Sequence, residues 1–203
     1  MTPHFSHNDY EIINREVMYD GIFRLSRYTV RCRLFNNGFS KPFIREVVER
    51  RSAVALLPYD PNLDRIILIE QFRVGGIAEP TGPWLTEVIA GTRDTKEAPD
   101  EIAIRESQEE AGCEITEIEL INDFFVSPGG SNEYMHIYCG KADVSNVGGV
   151  HGLVEENEDI RVLNLPAEEA FARIHNNEIK TAPAIIALQW LELNRGWLRD
   201  KWS

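Results

Sequence analysis

GTRDTKEAPDEIAIRESQEEAGC, residues 91–113, is the stretch of this chain that ordinary folding explains least well. Residues 99–111 are predicted to form a helix, because Pro99 suits a first helical position and Gly112 can end the helix in a left-handed cap. The last turns of that helix carry Glu106, Glu109 and Glu110. Carboxylates placed there face the negative end of the helix dipole, each at a loss of roughly 0.3–1 kcal/mol, and Glu106 and Glu110, four apart, repel each other. Such a cluster calls for a compensating positive charge.

At about 100° per residue, Arg105, Glu106, Glu109 and Glu110 share an arc of roughly 140° opposite Ala103, Ile104, Ser107 and Ala111, and Ile102 breaks the separation. One face is expected to pack on a core, the other to gather three carboxylates and an arginine. Oxygen donors converging in this way suit a hard divalent cation such as Mg²⁺, which takes carboxylates, waters and often a substrate phosphate. A solvated acidic helix is the plainer alternative and the commoner meaning of a charge run.

The spacing weighs against that alternative. Gly91, Glu97, Arg105-Glu106, Glu109-Glu110, Gly112 and the apolar Cys113 fall at intervals that match the box of the Nudix hydrolases; Ser107 stands where that family usually has an apolar or small residue, and Ala98 is a weak N-cap. The resemblance implies a loop-helix-loop that binds Mg²⁺ or Mn²⁺ and hydrolyses a nucleoside diphosphate linked to another group. It implies Glu106, Glu109, Glu110 and the backbone carbonyl of Ala90 as metal ligands. Gly91, Glu97, Arg105 and Gly112 are then structural, with Glu97 and Arg105 pairing to brace the loop.

Composition bounds the rest. A chain of 203 residues holds one generous domain, or a domain of about 150 residues with a small appendage. A hydrophobic fraction of 43% supports a sizeable core. With 21 basic against 33 acidic residues the net charge is −12, which argues against a non-specific nucleic-acid binder. A polyanionic substrate would need a locally basic pocket or metal ions. Cys32, Cys113 and Cys139 are scattered and lack CxxC spacing, so no disulfide framework or zinc site is expected, and a reducing cytoplasm fits best. No apolar run approaches the roughly 20 residues of a spanning helix, so no membrane partner is expected.

Residues 10–48 read as strands with a hairpin: Tyr28, Val30, Cys32 and Leu34 alternate with polar residues, Asn36-Asn37-Gly38 supplies turn chemistry, and a bulge is expected near Ser26. A sheet this small is marginal alone, and a second copy of the chain is a plausible surface for it. Strands are predicted at 53–58, 65–72, 85–90, 115–125, 133–141 and 159–165, and helices at 166–175 and 182–193. The expected architecture is an α/β/α sandwich with a mixed sheet over residues 49–203, preceded by a small N-terminal antiparallel β-sheet segment over 1–48. The Nudix resemblance implies the same sandwich.

The box glutamates would be committed to cations, so a separate base is needed to take the proton of an attacking water. Residues 145–159, SNVGGVHGLVEENED, read as a glycine-hinged mobile loop ending in Glu155, Glu156, Glu158 and Asp159. By composition alone it is a surface loop with several candidate bases. The chain closely resembles the ADP-ribose pyrophosphatase branch of the Nudix family along nearly its whole length, HGLVEENEDIRV included. That likeness implies Glu156 as the general base, Glu158 close to the metal, and the turn Ser127-Pro128-Gly129 as the mark of the branch. It implies Glu133 at the terminal ribose, Arg73 at the diphosphate, and Arg45 and Glu46 reaching a partner subunit's substrate in a homodimer. Ile22 stands where related enzymes present an aromatic, and Trp84 reads as core or pocket wall. His136 and His151 lack a second histidine at ligand spacing and read as structural. The implied substrate is a nucleoside diphosphate sugar, ADP-ribose first. A GDP-mannose-type pyrophosphatase and a catalytically silent ADP-ribose sensor are the alternatives.

Overall fold

The computed structural model describes residues 5–93, 96–153, 155 and 157–202. Contacts divide the chain into two compact units, one of residues 1–51 with 125–134, the other of residues 52–124 with 135–203. The segment 125–134 therefore belongs with the N-terminal strands. Val48 accepts it through a bridge to Ser131, and Phe125 packs edge-to-face on Tyr134 with ring centroids 4.9 Å apart.

In the first unit β1 (Tyr10–Asp20), β2 (Arg24–Cys32) and β3 (Phe43–Glu49) form an antiparallel sheet in that order. The turn after β2 uses Asn37 and Gly38 at φ 69° and 77°, as its Asn-Gly chemistry requires. The register shifts lie on β1, between Ile12 and Asn14 and between Val17 and Tyr19. The second of these faces Ser26 and Leu25, so the irregularity near Ser26 belongs to the partner strand. All eleven residues of β1 are exposed, Ile12, Val17 and Tyr19 among them.

The second unit is built on a mixed sheet. Its strands are β4 (Ala53–Asp60), β5 (Arg65–Phe72), β6 (Trp84–Glu87), β7 (Ile89–Thr92), β8 (Glu117–Phe125), β9 (Tyr134–Lys141), β10 (Gly149–His151) and β11 (Ile160–Pro166). The order is β10-β11-β5-β4-β9-β8, with β6 on β5 and β7 on β4; β4 and β9 run parallel, and the other registered pairs are antiparallel. Side chains alternate between the two faces of a strand. Val54, Leu56, Ile67 and Ile69 therefore face α1 (Pro99–Ala111) through Ile102, Ala103 and Ala111. Ala55, Leu57, Ile66 and Leu68 meet α2 (Ala167–His175) and α3 (Ala182–Trp202) through Phe171, Leu188 and Leu191. This is the expected α/β/α arrangement.

Three local expectations need correction, and the alternative left open at Trp84 narrows. The predicted strand 85–90 is two strands parted at Val88, since β6 follows β5 and β7 follows β4. The loop 145–159 contains β10, paired with β11. The last helix runs on to Trp202, because Leu198 and Trp202 are buried and Arg195 donates to Asp64 Oδ2 at 3.1 Å. Trp84 is 61% exposed and stacks edge-to-face on Phe72, so it is not a core residue. The three cysteines are free. Among the described residues no helix is long and apolar enough to cross a membrane.

Candidate active site

The helix α1 is set by its ends. Pro99 begins it, and Ala98, which has no side-chain acceptor, is supported by Glu101, whose carboxylate accepts from the Ala98 N–H at 2.9 Å. At the other end Gly112 adopts φ 59° and donates its N–H to the Gln108 carbonyl at 3.0 Å. Ser107, fully buried in an otherwise apolar or small position, donates its hydroxyl to the Cys113 carbonyl, and the Cys113 N–H returns to the Ser107 carbonyl at 3.1 Å. These bonds fix the turn that carries the glutamates.

The faces of the helix differ from expectation. Ile102 is buried and Ile104 is 40% exposed, while Glu110, expected on the polar side, is only 4% exposed. The helix leans its Glu110 edge onto the sheet. There the Glu110 Oε2 accepts from the Ala90 N–H at 3.1 Å. Glu106 lies directly over Gly91, where an added Cβ would come within 2.2 Å of its Oε1. The box glycine at 91 thus leaves room for the close approach of a carboxylate, and the helix end is held against β7.

Arg105 is the local cation. It donates to Glu109 Oε2 at 3.0 Å and lies 3.1 Å from Glu106 Oε1 and 3.7 Å from Glu97 Oε2. The pairing of Glu97 with Arg105 is therefore present, within a wider cluster. Among the described residues Glu110 has no such ion pair. Burial pushes its carboxyl up to about 8, the Ala90 N–H opposes this, and the charges of Glu106 and Glu158 add to the rise. Glu106 is also raised, chiefly by burial, with Arg105 opposing.

Glu158 belongs to this group by its charge. Its Oε2 accepts from the Leu153 N–H at 3.2 Å. His151, at the end of β10, donates its Nε2–H to the Gly148 carbonyl at 3.0 Å, and its Cε1 sits 2.9 Å from where a Cβ on Gly112 would be. His136 lies 3.9 Å from Asp123 Oδ2. Glu156, expected as the base, lies outside the described residues.

Arg73 follows β5 and donates its Nε to Glu87 Oε2 at 2.8 Å. The remaining expected residues lie in the first unit. Arg45 sits over the Phe43 ring at 4.7 Å and donates to the Ile44 carbonyl at 2.7 Å, while Glu46 is held by Arg27 at 2.7 Å. Glu133, 8% exposed, is held by Arg50 at 2.8 Å. Ile22 is 97% exposed. Glu87 was missed from sequence; its only signal there is a lone carboxylate in the apolar run LTEVIA.

A metal can be weighed against these donors. Among the described residues no three His, Cys, Asp or Glu side chains converge as they would around an ion already in place. Glu106 and Glu109 are turned to Arg105 instead. The chemistry of the donors nevertheless fits a hard divalent cation, since all are oxygens and a buried carboxylate without a cationic partner is costly unless one arrives.

A mixed sheet between helices, with the acidic end of one helix laid against a sheet residue's backbone, defines an α/β/α sandwich with a carboxylate-rich helix terminus. The NUDIX domain model matches residues 49–187, and the chain belongs to that family. The chain is 41% identical over 199 residues to the ADP-ribose pyrophosphatase of Escherichia coli (strain K12), covering 98% of this chain and 95% of that one. It is 39% identical over 203 residues to the ADP-ribose pyrophosphatase of Haemophilus influenzae, with 98% and 94% covered. The GDP-mannose pyrophosphatase of Pectobacterium atrosepticum is 32% identical over 188 residues, with 92% and 95% covered. A solved structure described as an ADP compounds hydrolase superposes with a TM-score of 0.71 at 20% identity over 98% of both chains, a likeness of fold.

Proposed function

We propose that this chain is a divalent-metal-dependent ADP-ribose pyrophosphatase that releases AMP and ribose 5-phosphate. The observation that carries the proposal is Glu110, a buried carboxylate at the Ala90 backbone that feels the charges of Glu106 and Glu158 and, among the described residues, forms no ion pair. Glu106, Glu109, Glu110 and the Ala90 carbonyl would hold Mg²⁺, or Mn²⁺ in its place. A cation bound there neutralises the charge of a diphosphate. Glu156 takes the proton of the attacking water, whose oxygen bonds to phosphorus as the anhydride P–O bond breaks. Arg73 contacts the diphosphate, Glu133 the terminal ribose, and Arg45 and Glu46 reach the substrate of a partner subunit. Free thiols at Cys32, Cys113 and Cys139 suit the reducing cytoplasm.

The substrate assignment draws its support from the 41% identity to named ADP-ribose pyrophosphatases against 32% for a named GDP-mannose pyrophosphatase. A competition of ADP-ribose with GDP-mannose at equal concentration in Mg²⁺ should give AMP as the main nucleotide product. GMP in excess would replace this proposal with the second reading. Ligand binding without any product would favour the silent sensor. A homodimer through the first unit is supported by β1, exposed along its length with Ile12, Ile13, Val17 and Met18; a monomer in analytical ultracentrifugation would remove it.

A further inference from the structure

We propose that Glu87 is a positioning residue for Arg73, holding its guanidinium by one end so that the other end is presented to the diphosphate. The inference rests on the proposed role of Arg73 and extends it. Glu87 ends β6 opposite Ile69, so its side chain emerges on the face of the sheet that packs against α1. Gln71 and Arg73 follow Ile69 at successive alternate positions and fall on the same face. The result is a small polar cluster at the edge of an apolar layer. Glu87 Oε2 accepts from Arg73 Nε at 2.8 Å and from Gln71 Nε2 at 3.2 Å. Gln71 is 7% exposed and the Glu87 side chain 17%, so the anchor is largely out of solvent.

The geometry matters because of which nitrogen is used. Engaging Nε leaves Nη1 and Nη2, and among the described residues neither has a hydrogen-bond partner. Two parallel N–H groups in a fixed plane are the fork that recognises a phosphate in a bidentate manner. Arg73 also lies within electrostatic reach of Glu110: burial is the main influence on that carboxyl, and the Arg73 charge is among those that oppose it. The Arg73 charge is therefore felt at the helix terminus that carries the proposed metal-accepting glutamates. An arginine fixed in this way loses less conformational freedom when substrate arrives than one free to swing.

The test is a double-mutant cycle on the full chain with Mg²⁺ and ADP-ribose, using Glu87→Ala, Arg73→Ala and the pair. Glu87→Ala is expected to raise KM about tenfold, the size of one charge-assisted contact, with kcat changed by less than about twofold. Glu87→Gln, which keeps an oxygen acceptor, should recover most of the loss. In the Arg73→Ala background, Glu87→Ala should add nothing. Additive effects, an unchanged KM in Glu87→Ala beside a raised one in Arg73→Ala, or a loss of Mn²⁺ affinity in Glu87→Ala would each overturn the proposal. An unchanged KM in Arg73→Ala would instead remove the role of Arg73 itself, and the positioning with it. Binding of a methylene-bridged ADP-ribose analogue, followed by calorimetry, separates a weakened contact from a misfolded variant.

Discussion

Glu110 concentrates the energetic tension of the site. In the metal-free protein burial holds its carboxyl at about 8, far above the ordinary value near 4.3. Between those two values the folded chain keeps a proton that the unfolded chain has released. The contribution of Glu110 to stability is therefore full below the unfolded value, declines as pH rises, and is lost as pH passes about 8, a change on the order of a few kcal/mol. Metal-free wild type should lose more melting temperature between pH 5 and pH 8.5 than Glu110→Gln, whose amide does not titrate. A difference between the two proteins that stays flat over that range, followed by calorimetry, would contradict the burial. The identities of the box residues were legible from spacing, but this burial was not. A helical wheel places Glu110 with Arg105 and Glu106, and only the tilt of the helix onto β7 sends Glu110 inward and Ile104 outward.

Helix α1 was readable at both ends, because Pro99 and Gly112 are local signals that act through their own backbone. The strand 85–90 was not, for a reason that belongs to its neighbours. β4 and β5 pair only at Tyr59 with Ile66 and at Asp60 with Arg65, and beyond that hairpin end they are bridged by other strands. β6 takes the ladder of β5 and β7 that of β4, so the chain changes partner at Val88 with apolar residues, Leu85 and Ile89, on both sides of the change. Hydrophobic pattern carries no record of a change of partner. Within this bridge Gly91 is the point at which element and site meet. Gly91→Ala places a methyl against the far end of the Glu106 side chain, which can move. The expected outcome is a melting temperature within a few degrees of wild type and a Mg²⁺ requirement raised about tenfold or more. A large loss of stability with unchanged Mg²⁺ dependence would show that Gly91 serves the strand and not the carboxylate.

At the scale of the whole molecule, a chain of net charge −12 takes a polyanion as its proposed substrate. Positive charge at the site must then be local or imported, and most of the arginines described are already engaged: Arg15 by Glu49, Arg27 by Glu46, Arg31 by Glu11 and Arg105 by its three glutamates. The α/β/α layering was legible because the continuous apolar runs of β4 and β5, as strands covered on both faces require, and the apolar faces of α2 and α3 are properties of single elements. The return of residues 125–134 to the first unit was not, since it depends on tertiary pairing at Val48 that no local pattern encodes. The central claim, that the acidic end of α1 accepts a divalent cation, is tested most directly by titrating Mn²⁺ into the protein under electron paramagnetic resonance. Wild type should remove the free Mn²⁺ signal at stoichiometric protein, and Glu106→Gln and Glu110→Gln, still folded, should leave it. Equal Mn²⁺ uptake by wild type and both variants would contradict the account.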